Sequence, residues 1–178
     1  DYELEGVKSK VLDSNRKLEN KSGLGNEMLG WMNLPIDRND EEITRIKEAA
    51  KKIQKQSEVF VVIGIGGSYL GAQAMIDLFT NSFNNLVAES VRKSPQIIFA
   101  GNTLSAKYLR NLVEYLEDKD FSINVISKSG KTLEPAVTFR TLRVMLEQKY
   151  GITGASERIY VTTDENKGIL HDIAVKHE

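Results

Sequence analysis

The sequence predicts an α/β protein of three layers, with an open and mostly parallel β-sheet between helices. Three observations predict it. Apolar, β-branched runs recur at 59–66, 96–101, 121–127 and 158–164, and a stretch with helical spacing follows each. Alternation at this interval builds βαβ units. The run VFVVIGIG at 59–66 is continuous rather than alternating, as a strand covered on both faces must be. There are half the units that a closed barrel needs. The last helical stretch has no strand after it, so the sheet reads as truncated before its last strand. Residues 39–178 are expected to form the α/β domain, incomplete at its C-terminal end, and residues 1–38 an N-terminal arm and loop.

Each element has its own signal. Val7, Lys8, Val11, Leu12 and Leu18 suit a short helix. KSGLGNEMLGWMNLP carries three Gly, the only Trp and a Pro, and reads as a loop with apolar anchors. Asn39 with Glu42 three residues on forms a capping-box pattern. Ile43, Ile46, Ala50 and Ile53 then share one helical face, with Lys51, Lys52 and Lys55 mostly on the other. The strand at 59–66 leads to a helix at 69–79. The strand at 96–101 leads, through an Asn102/Thr103 cap, to a helix marked by Leu104, Tyr108, Leu112 and Tyr115. The strand at 121–127 leads to a helix at 133–150, with Ala136, Phe139, Leu142 and Leu146 on one face and Gly151 as its stop. The strand at 158–164 leads to a helix at 167–176. No internal repeat or low-complexity tract interrupts this order.

Composition narrows the function. Without Cys there is no disulfide framework, thiol nucleophile or thiolate-ligated metal. The two His, His171 and His177, lie in the last eight residues, so the body of the chain assembles no His-based triad or metal site. A net charge of -1 gives no reason to expect nucleic acid as a partner. No run approaches the ~18 apolar residues of a membrane span, and the charged N-terminus lacks the apolar core of a secretory signal. Cytoplasmic location is the default expectation. The chain opens on Asp rather than Met and reads as cut from something longer.

Ligands of open parallel sheets bind beyond the C-terminal strand ends. Two of those ends are unusual here. Gly64-Ile65-Gly66-Gly67-Ser68-Tyr69-Leu70-Gly71 lets backbone approach a ligand closely and opens onto a helix N-terminus, which suits phosphate. Ser68 sits where it could cap that helix and also donate its hydroxyl. A tight packing turn without a ligand explains the glycines equally well. A Walker loop is excluded, because no Gly-Lys-Ser/Thr closes the turn. A dinucleotide fingerprint fits poorly: Tyr69 stands at its last glycine position, and the next strand ends Ala100-Gly101-Asn102 without the acidic residue.

The second end is Ser127-Lys128-Ser129-Gly130-Lys131-Thr132. Its hydroxyls, ammoniums and backbone amides can form an anion nest, and Lys is a suitable point charge for phosphate. A plain helix cap by Thr132 with solvated lysines is the bland alternative, but caps rarely need so many donors. Small hydroxyl donors, with no aromatic platform for a base, favour a sugar phosphate over a nucleotide.

Together these residues resemble a known family. VIGIGGSYLGAQA followed by ISKSGKTLEPAVTFR is similar to the sugar-isomerase (SIS) domain, a flavodoxin-like fold, and more narrowly to the N-terminal part of the bacterial glucose-6-phosphate isomerase family. Ile63 to Gly71 follows its I-G-I-G-G-S-x-L-G, and Ser127 to Arg140 its S-K-S-G-T-T-x-E-P-A-x-x-F-R. Gly25 to Pro35 follows its G-N-x-x-L-G-W-x-x-L-P. The resemblance implies that Gly67 and Ser68 contact substrate near the sugar and phosphate. It implies that Ser127, Lys128, Ser129 and Thr132 hold the phosphate. The clear departure is Lys131, where many members carry Thr; it either adds charge beside the phosphate or points outward.

The implied reaction interconverts glucose 6-phosphate and fructose 6-phosphate. A base moves a proton between C1 and C2 through an enediol after ring opening. No metal or organic cofactor is implied. The family's base Glu and ring-opening His and Lys lie in later motifs, including one around G-G-R, which these residues do not contain. No catalytic residue is therefore expected here, and the piece alone should be inactive. Glu134 reads as a dipole-favourable residue of a first helical turn, not as a base. The family is usually dimeric. Two alternatives share the fold: a phosphosugar-binding regulatory module and another SIS-type isomerase. The first usually brings a DNA-binding helix-turn-helix, which the single basic-faced helix at 40–56 does not make. The GWMNLP loop argues against the second.

Overall fold

The computed structural model describes residues 2–176. His177 lies outside them. The chain forms two compact units, Asp1–Ile46 and Lys47–Glu178.

In the first unit, α1 spans Tyr2–Glu19, longer than the short helix expected. Its apolar positions Leu4, Val7, Val11 and Leu12 are exposed. Ion pairs along its length, Lys8 with Glu5 at 3.3 Å and Lys17 with Asp13 at 2.6 Å, add the modest support of helical neighbours. The following segment forms two 3-10 turns, Asn26–Met28 and Gly30–Asn33. Trp31 and Leu34 are exposed at 59% and 68%, so they do not act as anchors. The helix α2 runs Asp40–Gln56. Its cap is the expected one: Asn39 Oδ1 accepts from the Glu42 amide at 3.1 Å.

The second unit holds four strands: β1 (Val59–Ile63), β2 (Gln96–Ala100), β3 (Phe121–Ile126) and β4 (Ile159–Thr162). All pair in parallel, in the order β2-β1-β3-β4. Between them run α3 (Gly67–Phe79), α4 (Glu89–Arg92), α5 (Ala106–Leu116) and α6 (Leu133–Ser156), and α7 (Ile169–Lys176) follows β4. The three-layer α/β/α class is as predicted. Register places Val59, Val61 and Ile63 beside Phe121, Ile123 and Val125. These join Leu112 and Leu116 of α5 and Phe139, Leu142 and Leu146 of α6 in one buried core. Each large apolar side chain so buried contributes roughly 1.5–3 kcal/mol. The opposite face carries aromatic pairs, Phe60 with Tyr160 and Tyr69 with Phe99. It is covered less tightly, since α3 has no buried residue.

Three local details differ from the sequence reading. The α5 cap is Ser105, whose Oγ accepts from the Tyr108 amide at 3.3 Å; Thr103 Oγ1 instead accepts from the Ser105 amide. Gly151 does break the helix, at φ 71°, but helical structure resumes beyond it to Ser156. Residues 80–95 contain a short 3-10 turn, Asn84–Leu86, and α4. Asn85 there accepts from the Ile97 amide at 2.9 Å and donates to the Ile97 carbonyl at 2.7 Å. Its amide group imitates a strand partner and covers part of the β2 edge.

Candidate anion-binding site

Strand order decides where a site can form. The connection from β1 leads to β2 on one side, and that from β3 leads to β4 on the other. Between adjacent β1 and β3 the winding reverses. A crevice opens at such a switch point, beyond the C-terminal strand ends. The two unusual loops leave from these two neighbouring strands, whose last residues pair Ile63 with Val125. A Cβ on Gly64 would stand 3.5 Å from the Ile126 carbonyl oxygen and 3.2 Å from Ser68 Cβ. The glycine is what lets the two chain segments leave the sheet side by side.

The first loop turns at Gly66, whose φ of 58° and ψ of -128° suit only glycine. Gly66 is the residue before α3, so of the two roles open to Ser68 the helix cap is not taken. Ser68 lies in the first helical turn, and its amide donates to the Ile65 carbonyl at 3.3 Å. Among the described residues the Gly66 and Gly67 amides donate to nothing. They stand at the positive end of the α3 dipole.

The second loop is held from behind. Ser127 is 7% exposed, and its Oγ accepts from the Gly130 amide at 3.0 Å. Ser129 Oγ accepts from the Lys131 amide at 3.3 Å. Gly130 has φ 71°, and a Cβ there would meet the Leu170 amide nitrogen at 2.5 Å. Thr132 takes the N-cap position of α6, yet its side chain makes no cap hydrogen bond. Thr132 therefore does not cap the helix through its side chain, and its hydroxyl is available. Lys128, Ser129, Lys131 and Thr132 are all exposed. Among the described residues neither Lys128 nor Lys131 has an ion-pair partner, and the amides of Lys128, Ser129 and Thr132 donate to nothing.

The structure thus brings Gly67 and Ser68 to one side of the switch point and Ser127, Lys128, Ser129 and Thr132 to the other. Hydroxyls, free amides, two helix N-termini and two ammoniums share one sheet edge. Such a set is short of negative charge and short of acceptors, a chemistry that suits an anion with several oxygens. Glu134 sits in the first turn of α6, as expected, and His171 on α7 meets the carboxylate of its neighbour Asp172 at 3.2 Å. A cavity of about 210 Å³ lies elsewhere, between Ile76 of α3, Phe83, Leu86 and Phe99.

Sequence reasoning missed one contributor to this edge. The segment after β4, Thr163 to Gly168, backs the second loop. Thr163 Oγ1 donates to the Ser127 carbonyl at 2.8 Å, with the Lys128 carbonyl at 3.4 Å, and the Ile169 amide donates to the Ser129 carbonyl at 3.2 Å. The available signal was a third strand end carrying hydroxyls and a glycine, Thr162-Thr163 and Gly168.

No family model matches the chain. The glucose-6-phosphate isomerase of Clostridium novyi (strain NT) is 49% identical over 174 residues, 98% of this chain and 39% of that protein. The glucose-6-phosphate isomerase of Enterococcus faecalis is 53% identical over 170 residues, 96% of this chain and 38% of that protein. A hypothetical protein of Thermus thermophilus shares the fold with TM-score 0.74 and 26% identity, over 99% of this chain and 39% of its own. A glucose-6-phosphate isomerase structure from Chlamydia trachomatis shows the fold alone, at TM-score 0.57 and 24% identity over 73% of this chain and 23% of its own. Along nearly its whole length, then, this chain is related to the bacterial glucose-6-phosphate isomerases, and it spans 38–39% of the length of the relatives it matches.

Proposed function

We propose that this chain is the sugar-phosphate-binding portion of a glucose-6-phosphate isomerase. Residues 39–178 would be its SIS-type domain and residues 1–38 an arm. The phosphate of glucose 6-phosphate or fructose 6-phosphate sits between the two loops. Lys128 supplies charge, the hydroxyls of Ser127, Ser129 and Thr132 and the free amides supply donors, and Gly67 with Ser68 faces the sugar side. The observation that carries this reading is adjacency: the two loops leave neighbouring strands at the one place where the winding reverses. The relatives bear the name of the matching activity. Isomerisation itself needs a base at C1 and C2. The edge described here offers donors and cations, so in this reading these residues bind and the proton transfer belongs to groups outside the 178. Alone, the chain is inactive.

Calorimetric titration tests the reading. Fructose 6-phosphate should bind, inorganic phosphate should compete, and free fructose should not bind. Lys128→Ala removes a charge-assisted contact and should weaken fructose 6-phosphate by about tenfold or more. Equal binding of fructose and fructose 6-phosphate would overturn the assignment.

A further inference from the structure

We infer that Thr163 is a positioning residue for the phosphate loop: its hydroxyl turns the loop's free amides toward the ligand. The inference rests on the sugar-phosphate reading above and adds to it a residue outside both motifs. Its basis is the planarity of the peptide unit. In a trans peptide the carbonyl and the following amide point in opposite directions. Thr163 Oγ1 holds the Ser127 carbonyl at 2.8 Å and lies 3.4 Å from the Lys128 carbonyl. The Ile169 amide holds the Ser129 carbonyl at 3.2 Å. Three successive carbonyls are thereby drawn to the β4–α7 side. The Lys128 and Ser129 amides, which share peptides with the first two, must point away from it. Those are the amides that donate to nothing among the described residues.

The same side is built for close contact. Gly130 at φ 71° leaves no room for a Cβ against Leu170, which is 3% exposed. A Cβ on Gly168 would stand 3.3 Å from the Lys128 carbonyl oxygen. Backbone therefore packs on backbone, and the Thr163 hydroxyl is the one side-chain donor that meets the loop's carbonyls there among the described residues. Without it, the Ser127 carbonyl loses its partner and the first peptide of the nest is free to rotate.

The test uses the whole chain with two variants, Thr163→Val, which keeps shape and removes the hydroxyl, and Thr163→Ser, which keeps the hydroxyl. Inorganic phosphate and fructose 6-phosphate are titrated against each. Thr163→Val should weaken both ligands by the same factor, about fivefold, the worth of one hydrogen bond. Thr163→Ser should stay within about twofold of the unaltered chain. A merely structural role would lower the melting temperature in both variants without this rescue of affinity. Unchanged phosphate affinity in Thr163→Val, or a loss confined to fructose 6-phosphate, overturns the inference while leaving the binding reading intact. No binding of either ligand by the unaltered chain overturns the binding reading, and the inference with it. Should Thr163→Val not fold, amide exchange in the unaltered chain decides. Phosphate should slow exchange at Lys128 and Ser129, and no slowing there overturns the inference.

Discussion

The two ends of the sheet use similar polar residues to opposite effect. At the N-terminal strand ends, strong donors meet acceptors from the chain itself. Arg158 donates to the Gln56 carbonyl at 2.7 Å and stacks 4.0 Å from the Tyr150 ring centre. Lys149 Nζ donates to the carbonyls of Lys119 and Glu117, at 2.7 and 3.0 Å. Gln56 reaches Ser122 and Tyr160, and Ser57 pairs with Ser122 at 2.7 Å. At the C-terminal ends, Lys128, Lys131, Thr132 and several amides find no such partner among the described residues. The difference follows from helix direction. Helices arrive at the N-terminal edge with their unpaired carbonyls, which take up cationic donors from the chain. Helices depart from the C-terminal edge with unpaired amides, and added lysines there deepen a deficit of acceptors, the setting that suits the proposed anion. Polar residues at one edge bond to the chain itself, and those at the other are left without partners among the described residues.

Substitutions can break this contrast or sharpen it. The largest effect is expected where fold and site coincide. Gly130→Ala must abandon φ 71° or push Leu170 away, so it should lower stability by roughly 2–3 kcal/mol in urea unfolding and abolish phosphate binding in the same sample. Preserved binding in that variant would mean the loop does not need its present shape. Next comes the structural edge alone. Arg158→Leu leaves the Gln56 carbonyl without a partner and should lower stability by about 1–3 kcal/mol, with ligand affinity unchanged. Lys128→Ala is its mirror image: a tenfold or greater loss of affinity, with stability within about 0.5 kcal/mol.

The smallest effect concerns the Tyr150 phenol. Burial first, then donation to the Asp120 carboxylate at 2.7 Å, pushes it up to about 12 from an ordinary 10.0, against the opposing pull of the Phe121 amide and Arg158. The folded state therefore holds this proton more tightly than the unfolded chain does. The stability it contributes is complete below pH 10 and is lost as pH rises toward about 12. Urea midpoints measured across the alkaline range should fall more steeply for the native chain than for Tyr150→Phe. Parallel curves would remove Tyr150 from the set of edge contacts.

Much of this was legible from residue order. The Asn39 cap on the Glu42 amide is local chemistry, and it forms, without the return bond that would complete a capping box. All four strands lie within the predicted runs, and the central β1 is continuously apolar, as a strand covered on both faces must be. Where reading went astray, a neighbour in space or a backbone conformation had intervened. Ser68 looked like a cap, but the glycine conformation at 66 starts the helix earlier. Thr132, for which the sequence makes a capping role the less favoured alternative, holds the N-cap position without the side-chain bond. Trp31 and Leu34 read as anchors but are exposed, because burial depends on a packing partner that the loop's own sequence does not supply.

By itself, the sequence determined the class: alternating buried strands and amphipathic helices, a parallel sheet, and two strand ends rich in glycine, hydroxyl and ammonium groups. These are local and periodic properties, carried by neighbours in the chain. Only the tertiary structure decided that the first and third strands lie side by side, that the winding reverses between them, and that Thr163 stands behind the second loop. Each of these depends on which strand pairs with which and on hydrogen bonds between residues far apart in the chain, and a periodic pattern carries no record of either.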